Sequence, residues 1–183
     1  MQRLFGWMAV LLCCAAEAGT SDAGADARLV EAQAAFDEAR RLLDAGRYAD
    51  GLPHGDHALA LREAALGENH PDVASYLDMA GELHRRSGDY ARAETLLQRG
   101  LALREKALGK DHPDVASSLN NLAELYRRAE LFARAEPMYL RALAIHEAAL
   151  GKDHPDVATS LNGLARIYWR QGSYGRAELL AQR

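Results

Sequence analysis

The chain has 183 residues, 49% of them hydrophobic and 26% charged, with five prolines and a formal net charge of −4. That length accommodates one domain of ordinary size and a short leader. The mild acidic balance lacks the basic excess of a nucleic-acid-binding surface, and the abundance of alanine and leucine over β-branched residues favours helices over strands.

Residues 1–18 read as a secretory signal peptide. Arg3 gives a positive start, Leu4 to Ala16 runs 13 residues without a charge, and Ala16-Glu17-Ala18 puts small residues at the two places a signal peptidase reads. The apolar run is too short for a membrane span, which needs about 20 residues. Lipidation of Cys13 or Cys14 is disfavoured because Leu12 stands where a small residue belongs. Both cysteines lie in the leader, so the mature chain is expected to carry no disulfide, thiolate metal site or cysteine nucleophile. Residues 19–27 follow as a linker.

From residue 28 the chain repeats. Leu108 to Ala129 recurs 42 residues later as Leu150 to Gln171, with 16 of 22 positions identical, and a looser copy begins at Leu66. A fixed period of this length identifies a solenoid, whose units are too small to bury their own apolar faces. Residues 28–65 form a degenerate first unit. Gly46-Arg47-Tyr48 aligns with Gly88-Asp89-Tyr90, yet Pro53 and Gly55 fall inside an expected helix and Glu38 stands where a core apolar residue belongs. Such a unit suits a terminal cap.

In the unit starting at Pro113, proline fits the first turn of a helix and Asp114 complements its dipole. Leu119, Leu122, Ala123 and Tyr126 mark one face at helical spacing. After a break near Glu130, a second helix carries Ala135, Tyr139, Ala142 and Leu143 inward, and Gly151 ends it in a left-handed cap.

These residues resemble the tetratricopeptide pattern: large-x-x-large-small-x-x-aromatic on Leu119, Leu122, Ala123 and Tyr126, then small-x-x-x-aromatic-x-x-small on Ala135, Tyr139 and Ala142. The 42-residue period and the string Ser118-Leu119-Asn120-Asn121-Leu122-Ala123 resemble the kinesin light chain type of repeat. The resemblance covers residues 66–183 strongly and 28–65 weakly. It implies an all-α fold, a right-handed superhelical solenoid of antiparallel helix hairpins. Arg183 aligns with Arg141 and Arg99, in the middle of a second helix, so the last repeat is expected to be incomplete.

The resemblance also implies that the polar stripe of each first helix lines a concave groove. The candidate peptide-binding residues there are Asn120, Asn121, Asn162, Arg85, Arg127, Arg128, Trp169 and Arg170. Asparagine both donates and accepts, which suits the backbone of an extended peptide, and arginine holds carboxylates through paired N–H donors. Trp169 is an aromatic anchor candidate. The competing reading is a solvated helix face for the polar residues and a packed surface tryptophan for Trp169. His70, His112 and His154 recur once per repeat, so the roughly 10 Å between stacked helices keeps them from sharing a metal at about 2 Å; they organise helix starts instead.

No serine or threonine sits in a nucleophile elbow and no glycine-rich phosphate loop is present. The expected function is therefore non-catalytic and free of cofactor or metal. The partner is expected to be a protein or extended peptide, with no nucleic acid and no stable membrane insertion after leader cleavage. The alternative is a structural or self-assembly module of a larger complex or polypeptide, stacking through exposed repeat ends, with self-association through the open C-terminal end. Export to the periplasm or medium makes Gly19 the expected mature N-terminus in a secreting host; mass spectrometry checks this, and an intact Met1 species in the soluble cytoplasm contradicts it.

Overall fold

The computed structural model describes the backbone of residues 5–183 and the side chains of residues 24–183; the side chains of the leader and of its cleavage point lie outside the described residues. Eight helices follow in order: α1 (Phe5–Asp44), α2 (Tyr48–Leu66), α3 (Val73–Ser87), α4 (Tyr90–Leu108), α5 (Pro113–Arg128), α6 (Phe132–Leu150), α7 (Pro155–Arg170) and α8 (Tyr174–Ala181). Strands are absent among the described residues. Residues 19–27, read as a linker, all belong to α1.

Local chemistry sets the helix boundaries. His112 and His154 occupy the N-cap with extended backbone, and each Nδ1 accepts the N–H of the aspartate two residues on at 3.2 Å. His70 makes the same 3.2 Å bond to the Asp72 N–H. A proline follows each histidine and begins the helix in α5 and α7, where its missing N–H has no intrahelical acceptor.

At the far end of the second helices the expected left-handed cap is replaced by another geometry. Gly151 has φ 85° but ψ 160°, and Gly67 and Gly109 match it. This extended region at positive φ is one that essentially only glycine enters. The left-handed geometry occurs instead at Gly88, with φ 89° and ψ 1°, in the turn inside a hairpin. The same turn position is Gly46, Glu130 and Gly172 in the other units, all at positive φ, so Glu130 is a non-glycine residue held at φ 61°.

The helices pair as four antiparallel hairpins, each packed on the next. First helices also touch across successive hairpins, α1 with α3, α3 with α5 and α5 with α7, whereas the second helices α2, α4, α6 and α8 make no such backbone approach. The inner wall is therefore tighter than the outer one, and the solenoid curves with α3, α5 and α7 on its concave side. Long side chains bridge the outer gap: Arg99 reaches Glu63 at 2.5 Å, Arg141 reaches Glu105 at 2.7 Å, and Arg183 pairs with Glu147.

The first unit is more regular than its sequence. α2 runs unbroken through Pro53, which shares its second-turn place with Pro137 in α6. Gly55 is buried because a Cβ there would stand 2.6 Å from Leu83 Cδ1. Leu83 thus fills the face that hairpin α1–α2 offers to α3. On α1 the place of Leu83 is Arg41 and that of Leu122 is Glu38; these two pair at 2.6 Å with solvent at hand. Glu38 is polar because its side of α1 meets no preceding hairpin among the described residues.

Two substitutions test these local devices. Glu130→Gly removes a left-handed strain of roughly 1–2 kcal/mol and adds part of that back as unfolded-state entropy, so a net gain of about 0.5–1 kcal/mol is expected on thermal unfolding, while Glu130→Ala gives none. His112→Ala is expected to cost about 0.5–2 kcal/mol through the lost cap, and His112→Asn to retain most of the stability.

Candidate peptide-binding groove

Three adjoining cavities run along the concave side. The central one, about 370 Å³, lies between α3, α5 and α7. Asn121 joins it to a cavity of about 310 Å³ near Phe36 and Met79. Asn162 and Arg166 join it to one of about 470 Å³ that includes Trp169 and Tyr174. The track is mixed towards α1, where Phe36, Leu43 and Met79 stand beside Arg40, Asp78, Glu82 and Arg104, polar in the middle and aromatic at α7–α8.

Of the residues expected in the groove, Asn120, Asn121, Asn162, Arg85 and Arg128 line the central cavity. Trp169 lines the aromatic one and is 61% exposed, with Tyr174 edge-on to it at a centroid distance of 6.3 Å. Arg127 and Arg170 line none of the three. Arg127 is turned into a fork on Glu124 at 2.7 and 2.6 Å, and Arg170 pairs with Glu130 at the α5–α6 turn.

Two of the lining residues are less free than an isolated helix suggests. Asn120 is only 7% exposed, because its Oδ1 accepts the Ser160 hydroxyl of α7 at 2.9 Å. Its amide nitrogen is left for the groove. Arg85, 6% exposed, donates to both oxygens of Glu82 at 2.7 and 2.5 Å and lies 3.7 Å from Glu124. Asn162 is exposed and Asn121 half-buried.

Glu124 is the hub of the central cavity. It accepts from Arg127, from Arg128 at 2.9 Å and from the Tyr139 hydroxyl at 3.0 Å. Burial pushes its carboxyl up, but the bonds from Arg127 and Arg128 outweigh that and hold it at about 2, so it stays charged at any physiological pH. Burial and the Glu124 charge push the Tyr139 phenol well above its ordinary value, which keeps it a donor.

The stripe also brings in Arg86, Glu124, Thr159 and Arg166, polar positions on the same helical face. Tyr139 has no counterpart in that stripe. It arrives from α6 over Gly163, where a Cβ would stand 2.3 Å from its ring. Its signal in the sequence is the pairing of a large residue on one helix with glycine at the facing place on the next.

The three histidines stay apart, each bound to its own helix start, and no group of three or more His, Cys, Asp or Glu side chains suited to a metal occurs among the described residues. No helix there is long and apolar enough to cross a membrane.

Comparison with known proteins places these features. The model of the Tetratricopeptide repeat family matches residues 39–106, 80–148 and 114–183. Comparison with curated proteins gives no match. Among solved structures, the chain is similar to a Podosopora anserina protein assigned as a kinesin light chain with nearly identical TPR-like repeats. The identity is 24% over 81% of this chain and 70% of that one, with a TM-score of 0.72. It is also similar to BtubC (BKLC) from P. vanneervenii, at 21% identity over 86% of this chain and 70% of that one, with a TM-score of 0.58. These likenesses speak for the fold alone. With four stacked hairpins and family matches running from residue 39 to residue 183, the chain belongs to the tetratricopeptide repeat family.

Proposed function

We propose that the chain is a non-catalytic scaffold that binds an extended segment of a partner protein along its concave track. The observation that carries this reading is the continuity of three cavities from Phe36 to Tyr174, joined through Asn121, Asn162 and Arg166. A peptide lying there meets amide groups at its backbone and a half-open aromatic pair at one end. Asn121 and Asn162 offer both donor and acceptor, whereas Asn120, held by Ser160, offers its donor alone. Trp169 is well placed as an anchor, since exposed aromatics in grooves commonly carry binding energy. Export to the periplasm or medium belongs to the same proposal and rests on the composition of residues 1–18.

Self-assembly is the second reading. It is favoured by the exposure of Trp169, Tyr174 and Leu179, each above 60%, and apolar exposure of this kind promotes association. Light scattering decides it, because a concentration-dependent dimer that hides these residues would displace the peptide reading.

The groove reading is tested by changing Asn121 and Asn162 together to alanine. Both positions are solvent-accessible, so the melting temperature should barely move, within about 0.5 kcal/mol. Proteins retained from a periplasmic extract by the immobilised wild type should be lost or strongly depleted with the double variant. Retention of the same proteins in the same amounts would show that they bind elsewhere.

A further inference from the structure

The arginines of the concave face are not equivalent. Glu82 takes up Arg85 and Arg86, and Glu124 takes up Arg127 and Arg128. Arg170 pairs with Glu130 outside the track. Each of these guanidiniums has an internal carboxylate. One repeat further, 42 residues after Glu124, the acid is replaced by Arg166. No carboxylate of the described residues lies within ion-pairing distance of it.

We propose that Arg166 is the specificity-determining residue of the groove, offering its guanidinium to an acidic side chain of the bound segment. The proposal rests on the peptide-binding reading above. Arg166 lines both the central and the aromatic cavity, beside Asn162 in each, so a ligand following the track passes it. At the two preceding places one carboxylate, Glu82 or Glu124, already compensates part of the charge that a ligand carboxylate would meet. At Arg166 it displaces only water. The position that offsets part of the groove's positive charge in two repeats therefore adds to it in the third. The track's other arginine without an ion pair among the described residues, Arg40, lies at the α1 end over the Phe36 ring, 5.1 Å from its centroid. Within the central and aromatic cavities the ligand's acidic residue is thus directed to α7.

The probes are a capped oligoglutamate peptide and a capped oligoglutamine peptide of equal length. They are titrated into the full chain at low salt while the side-chain amide signals of Asn121 and Asn162 and the Arg166 Nε–H are followed by NMR. The wild type should bind oligoglutamate about tenfold more tightly, the size of one charge-assisted hydrogen bond. Arg166→Glu should erase that preference without lowering the melting temperature, and Arg166→Gln should remove most of it. Arg92→Glu makes the same change in net charge on α4, away from the three cavities, and should keep the preference. Equal losses in Arg92→Glu and Arg166→Glu, or no preference in the wild type while oligoglutamine still shifts the asparagine signals, would overturn the role of Arg166 and leave the groove standing. If neither peptide shifts Asn121 and Asn162, the groove reading itself fails and Arg166 with it.

Discussion

Each helix pair in this chain leaves an apolar face that its own residues cannot cover, and the next pair covers it. Leu83 of α3 seats over Gly51 and Gly55 of α2, and Tyr139 of α6 seats over Gly163 of α7. Large residues meet glycine at both junctions, so the backbones approach closely on the inner side. First helices then touch across successive hairpins while second helices do not. Curvature follows from that difference, and the concave track follows from the curvature. The groove is a by-product of how the hairpins stack, and it exists before any residue in it is chosen for binding.

The repeat unit copies backbone and core far more strictly than it copies the groove. Val73, Val115 and Val157 are all fully buried, and the bonds from the aspartate N–H to the histidine Nδ1 are alike to a tenth of an ångström. Along the stripe, by contrast, Asp78, Asn120 and Asn162 share one place, and Glu82, Glu124 and Arg166 share another. Even polar residues facing the groove take part in stacking. Ser160 bonds Asn120 across two hairpins, and Arg104 joins Asp78 to Ser118. A single stripe thus holds both structural locks and free functional groups.

That mixture explains which features were legible in the sequence. The period, the hairpin, the helix starts at His-Pro-Asp and the polar stripe all depend on angles around one helix, which spacing reports directly. The state of each stripe residue depends on what the neighbouring hairpin brings to it. Asn120 and Arg85 lie on the expected face, yet Ser160 and Glu82 have claimed much of their bonding capacity. Arg127 and Arg170 were turned out of the cavities by Glu124 and Glu130 for the same reason. Tyr139 was legible as an inward residue of its own helix, but its reach into the groove was not, because it enters from another element. Glu38, Pro53 and Gly55 looked like defects; the first stands on a water-facing side of α1, and the others fit a helix that packs closely on α3.

The unequal spacing of inner and outer helices has a mechanical consequence. The inner wall is held by close packing of successive first helices and by buried polar bonds such as Ser160–Asn120, which resist compression. The outer wall is spanned by three arginine–glutamate struts, Arg99–Glu63, Arg141–Glu105 and Arg183–Glu147, reaching between helices that do not otherwise meet. Ion pairs at such accessible sites are weak and screened by salt. The solenoid is therefore stiff on one side and compliant on the other, in the manner of a leaf spring. Bending that opens or closes the track therefore stretches or relaxes the ion pairs of the outer wall, while the buried contacts of the inner wall keep their partners.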